Sequence, residues 1–138
     1  MRMGRSLDVA IVTRSSSRLV GFYREVLGLE VVGEIRVSGA VPDGLLTRLS
    51  AGGSTLKILQ FDAEPGEDAP RGAPADATGL RYLTVGVEDL VTALKACGDA
   101  GIEVALPLTV LNADLAIAFV HDPDGNVVEL VGPAPQDP

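Results

Sequence analysis

One order of segments occurs twice in this chain of 138 residues, and it limits the fold more than any other feature. "GSTLKIL" (Gly53 to Leu59) and "GNVVELV" (Gly125 to Val131) match in polarity position for position, except where Thr55 stands against Val127. "YREVLGLEV" (Tyr23 to Val31) and "KACGDAGIEV" (Lys95 to Val104) share a Gly-apolar-Glu-Val ending. Around these anchors the first half reads as a strand, Leu7 to Thr13, then a helix, Ser16 to Leu27. Ser15, Ser16 and Ser17 offer N-caps, Leu19, Phe22, Tyr23 and Val26 give an apolar face, and Gly28 stops the helix. Strands follow at Leu29 to Val37, Leu45 to Ser50 and Thr55 to Phe61, punctuated by Gly39, Pro42-Asp43-Gly44 and Gly52-Gly53. The second half repeats the order: a strand from Leu80 to Val87, a helix from Glu88 to Ala100 ended by Gly101, and strands at Ile102 to Ala105, Leu115 to His121 and Val127 to Val131. A β-α-β-β-β unit used twice predicts two similar modules.

Between the copies lies AEPGEDAPRGAPADATG, whose prolines Pro65, Pro70 and Pro74 stand among small and acidic residues with little that could pack. The expected organisation is one domain over 1–138: module one at 6–62, a linker at 63–78, module two at 79–132 and a frayed tail at 133–138.

Composition narrows the function classes. A net charge of −8 argues against a nucleic-acid backbone as partner. The sequence has no apolar run long enough for a membrane span, and MRMGRSLDVAIVT lacks the apolar core and cleavage site of a secretory leader, so the expected location is the cytoplasm. Cys97 is the only cysteine, which rules out an internal disulfide, and its helical spacing from Leu90 and Leu94 predicts a small buried hydrophobe.

The last strand holds an oddity. Glu129 interrupts Val127, Val128, Leu130 and Val131, and a carboxylate among residues apolar on both faces loses hydration unless a cation, a metal or hydrogen-bond donors compensate it. In the repeat, Glu129 falls where Lys57 falls in the first copy, and Tyr82 falls where Asp8 falls. The Asp-Pro-Asp-Gly run before the strand is explained by a tight turn alone.

Leu7 to Val31 with "FYREVLGLEV", then "GLRYLTVGVEDL", then "DPDGNVVEL", resemble the opening, second-module opening and final hairpin of vicinal oxygen chelate proteins. That family includes glyoxalases, bleomycin-resistance proteins, extradiol dioxygenases and methylmalonyl-CoA epimerases. The resemblance spans nearly the whole chain and implies an α+β fold, with two βαβββ modules forming a curled eight-stranded mixed sheet around a central cleft. It also implies four metal-ligand positions in that cleft, usually two histidines with two Glu, Gln or His. By register with the motifs these positions are Asp8, Lys57, Tyr82 and Glu129, and only Glu129 keeps the usual residue. Zinc, iron, nickel or manganese at such a site relies on imidazole and carboxylate together, and the positive Lys57 opposes magnesium or calcium as well. No metal or other cofactor is expected. Lys57 can instead supply positive charge to Glu129, with Asp8 as a second acceptor.

Each residue has a structural reading beside this one. Glu129 and Lys57 form an ion pair without function, or Lys57 faces solvent; Tyr82 is a wall residue with a satisfied hydroxyl; Asp8 caps a turn; His121 is a hairpin residue. Two functions stand open. One is a metal-independent protein that binds or sequesters a small organic molecule, as bleomycin-resistance proteins do, although the 4% aromatic content leaves little to stack on a planar ligand. The other is a metal-free isomerase, epimerase, cyclase or lyase, with Glu129 or Asp8 as base and Lys57 or Tyr82 holding an oxyanion. Burial would raise the basicity of a glutamate and pairing with Lys57 would lower it, so the enzyme reading contains a conflict. Proteins of this fold often dimerise, and a homodimer is expected.

Overall fold

The structure, a computed structural model, describes residues 7–39 and 42–136. Ser6, Asp137 and Pro138, which the sequence assigns to the start of module one and the end of the tail, lie outside the described residues. The first module consists of β1 (Val9–Val12), α1 (Ser16–Gly21) running into a π-helical turn (Phe22–Val26), β2 (Glu30–Val37), β3 (Gly44–Ala51) and β4 (Ser54–Phe61). The second has β5 (Tyr82–Gly86), α2 (Leu90–Asp99), β6 (Val104–Val110), β7 (Ala116–His121) and β8 (Val127–Gly132). The class is α+β, and the βαβββ order occurs twice.

Topology makes the repeat physical. One four-stranded sheet has the order β1-β4-β3-β2 and the other β5-β8-β7-β6. In each, the first strand pairs parallel to the last and the remaining pairs are antiparallel. Contacts cluster into two compact units that divide inside the linker, between Asp68 and Ala69.

Within each unit the helix covers one sheet face. In module one Leu19, Phe22 and Tyr23 are buried together with Thr47, Leu49, Leu56 and Ile58, which alternate along β3 and β4 with less buried neighbours. In module two Leu90 and Cys97 of α2 are buried, as are Ala118, Val120, Val128 and Leu130 on one face of β7 and β8. Removing water from one such leucine contributes about 1.5–3 kcal/mol, so these rows fix which face turns inward. The opposite, helix-free faces carry the remaining side chains of every strand.

Helix ends follow from local chemistry. The Ser15 side chain makes no cap hydrogen bond; the Ser16 N–H instead donates to Gln60 Oε1 of β4 at 2.7 Å, so a residue from the sheet does the capping. Asp89 caps α2 by accepting from the Thr92 N–H at 3.1 Å. Gly101, at φ +74°, closes α2: Ile102 N–H donates to the Cys97 carbonyl and Gly101 N–H to that of Gly98, a Schellman pattern.

Two expectations need correction. β6 continues to Val110, past the predicted end at Ala105, through Pro107 and two register shifts. The tail is anchored at its start, because Ala134 is buried and its N–H donates to the Asp114 carbonyl at 3.1 Å. The linker also carries specific contacts. Arg14 bonds the Asp68 carboxylate and the Pro65 carbonyl, and Arg81 bonds the carbonyls of Ala73 and Pro74 beside a short 3-10 turn at Pro74–Asp76.

Candidate functional site

Strand register places the four sequence-predicted residues on the helix-free faces. Ala10 pairs with Lys57 in module one, and Thr84 pairs with Glu129 in module two. These are equivalent rungs of equivalent parallel ladders. Asp8 precedes Ala10 by two residues and Tyr82 precedes Thr84 by two, so side-chain alternation puts each on the face of its lysine or glutamate. The correspondences of Lys57 with Glu129 and of Asp8 with Tyr82 therefore hold in three dimensions as a property of the repeat.

In module one, the Lys57 ammonium lies 3.9 Å from Asp8 Oδ2. Both side chains keep more than a third of their surface exposed, at 38% and 36%, so water screens the pair and its contribution to stability is at most about 1 kcal/mol. On the other side of Lys57, Arg48 of β3 is its direct cross-strand partner.

In module two, Glu129 is half-buried. Its Oε1 accepts a hydrogen bond from the Thr84 hydroxyl at 2.9 Å, which fixes the carboxylate toward β5. Phe119 of β7 is its cross-strand neighbour on the other side. The Phe119 and Tyr82 rings meet edge to face, with centroids 5.4 Å apart and planes at 83°, while Tyr82 stays 48% exposed. The result is a carboxylate with one oxygen held by a hydroxyl, beside an aromatic pair that presents a phenol.

His121 ends β7, half-buried, with Nδ1 3.4 Å from the Gly125 carbonyl. The turn beside it is organised by Asp122, whose Oδ1 accepts from the N–H groups of Asp124 and Asn126 and whose Oδ2 accepts from the Asn126 side chain.

A sequence profile described as the Glyoxalase/Bleomycin resistance protein/Dioxygenase superfamily matches residues 6–130. The chain belongs to that superfamily. A glyoxalase family protein from Enterococcus faecalis is 30% identical, with 90% of this chain and 94% of that one aligned at a TM-score of 0.67. One from Bacillus cereus reaches a TM-score of 0.84 at 19% identity over 97% of both chains. The trypanothione-dependent glyoxalase I of Leishmania major aligns at a TM-score of 0.69 and 21% identity, covering 94% of this chain and 87% of its own. Comparison with curated proteins gave no match.

Around the four sequence-predicted residues stand others that sequence reasoning missed. Arg48, Thr84 and Phe119 are cross-strand neighbours of Lys57 and Glu129. A signal for Thr84 was available, since it stands two residues after Tyr82 on a strand of period 2. Arg48 and Phe119 needed the antiparallel register, which no motif states.

Proposed function

We propose that this superfamily member binds a small organic molecule on a helix-free sheet face, without a resident metal, in the manner of bleomycin-resistance proteins. The observation that carries this reading is the Lys57–Asp8 ion pair. An ammonium stands where the superfamily usually has a carboxylate or imidazole ligand, and the neighbouring carboxylate already faces it. A protonated lysine offers no lone pair, and its charge opposes any divalent ion beside it. An aspartate, a lysine, a tyrosine and a glutamate do not fit the imidazole-rich set that zinc, iron or nickel sites use. Glu129, held by Thr84 next to Tyr82 and Phe119, then provides a polar anchor beside apolar surface, the combination that orients small ligands.

A metal-free enzyme is the second reading, favoured by one arrangement: the oriented Glu129 carboxylate lies on the face that also presents the Tyr82 phenol. In that reading Glu129 or Asp8 removes a proton and Lys57 or Tyr82 steadies the resulting oxyanion, as an isomerase, epimerase, cyclase or lyase requires. The reading in either form includes a cytoplasmic homodimer. No helix among the described residues is long and apolar enough to cross a membrane.

A thermal-shift screen of small organic acids, amines and carbonyl compounds tests both, with hits followed by NMR for turnover. Glu129→Gln should leave the fold intact while weakening the hit or abolishing its conversion. Unchanged binding and unchanged chemistry in that variant would remove Glu129 from the site.

A further inference from the structure

We infer that Arg48, with Lys57 beside it, receives an anionic group of the ligand, a carboxylate or a phosphate; this rests on the binding reading above and specifies one end of the molecule bound. The first observation is a prepared position for the guanidinium. β2 carries a bulge between Val31 and Gly33, after which Gly33 stands opposite Arg48. A Cβ on Gly33 would lie 2.5 Å from Arg48 Nη2 and 3.2 Å from its Cζ, so the glycine vacates the space in which the guanidinium lies. A glycine and a bulge inside a strand both weaken pairing, and such features mark places where a side chain is re-aimed or another group approaches closely.

The second observation concerns charge. Arg48 and Lys57 are direct cross-strand partners, and two like charges so placed destabilise a sheet. Lys57 leans to Asp8, just before β1, while Arg48 lies over Gly33 on β2, so the two cations splay apart. Among the described residues Arg48 has no ion-pair or hydrogen-bond partner. Two carboxylates share the face: Asp8, which faces Lys57, and Glu30, which pairs with Ser50 on the far side of the bulge. An exposed guanidinium presents a planar fork of donors that matches a carboxylate or phosphate bidentately. With a net charge of −8, the chain as a whole repels anions, so capture here has to be local and directional. The next rung of the same face, Ile35, Leu46 and Leu59, provides apolar surface for the ligand's body, with Ile35 51% exposed.

Titration of backbone amides by NMR at constant ionic strength tests this, using inorganic phosphate in one arm, benzoate in a second and chloride in a third. Phosphate or benzoate should give saturable shifts at Gly33, Arg48 and Lys57 that chloride does not, and the tighter of the two identifies the anion class. Arg48→Gln should weaken that binding about tenfold, the loss of one charge-assisted hydrogen-bonded contact. Asp8→Asn, which removes a competing carboxylate, should strengthen it roughly twofold to fivefold. Gly33→Ala keeps every charge and should also weaken binding, because the methyl displaces the guanidinium. Equal shifts with chloride, or wild-type binding in Arg48→Gln, would overturn the inference. Phosphate shifts that persist when benzoate and the organic screen yield no hit would count against the broader binding reading alone.

Discussion

Asp89 shows how much one side chain can reveal about a module. Its carboxyl is held below the ordinary value of 3.8, first by the Thr92 backbone N–H and then by the Thr92 hydroxyl. A depressed folded-state value means the cap contributes fully above about pH 3.8, where the unfolded carboxyl is also ionised, and is lost as pH falls through the folded value. The gap in urea midpoint between wild type and Asp89→Ala should therefore be full at pH 6 and shrink below pH 4. Toward the other end of α2, burial pushes the Cys97 thiol up from 9.0, and the side chain is fully enclosed. A thiol reagent such as DTNB should label Cys97 on the timescale of unfolding and not faster. Thr84→Val is the sharpest residue-scale test of the site, since it removes the donor to Glu129 while keeping the strand's shape. It should alter ligand affinity by roughly 1–2 kcal/mol with little change in stability, read by titration and by melting. The positions Asp8, Lys57, Tyr82 and Glu129 were legible because the repeat and the motifs both number them. Arg48 and Phe119 were not, because antiparallel strand pairing alone brings them beside those residues.

At the scale of elements, glycine meanings separate cleanly along α2. Gly98 lies inside the helix with open space where a Cβ would go and no left-handed requirement, whereas Gly101 sits at φ +74°. Gly98→Ala should stabilise the protein by about 0.5–1 kcal/mol, and Gly101→Ala should destabilise it by about 1 kcal/mol, measured by chemical denaturation. Most boundaries could be read because a glycine or a short polar turn marks them, as at Gly28, Gly52-Gly53 and Gly125. The exceptions have physical causes. Pro107 lacks an amide proton and reads as a strand breaker, yet β6 is the outermost strand of its sheet, where that proton is not needed. The switch from α-helical to π-helical bonding after Gly21 leaves no periodic trace, because Leu19, Phe22, Tyr23 and Val26 suit either winding over so short a span.

For the whole molecule, the repeat determines architecture, and fold and ligand were legible to different degrees. Matching ladders in both modules follow from matching polarity, so fold and superfamily could be read from one sequence. Ligand identity could not, since it depends on side chains brought together by register. The charge pattern makes a further prediction for the intact chain: untagged protein incubated with zinc, manganese, iron, nickel or magnesium and then desalted should retain far less than one equivalent, by elemental analysis. Near-stoichiometric retention would return the conventional metal chemistries of the superfamily. The irregular outer strands have a different consequence. β2 carries a bulge at Val32, and β6 carries Pro107 with two breaks in register. A strand from another molecule arriving at either edge would find its hydrogen-bonding groups out of step, so neither edge is a good seed for fibril growth. Replacing Pro107 with valine should weaken that protection at β6 and raise thioflavin-positive polymer in concentrated solutions relative to wild type.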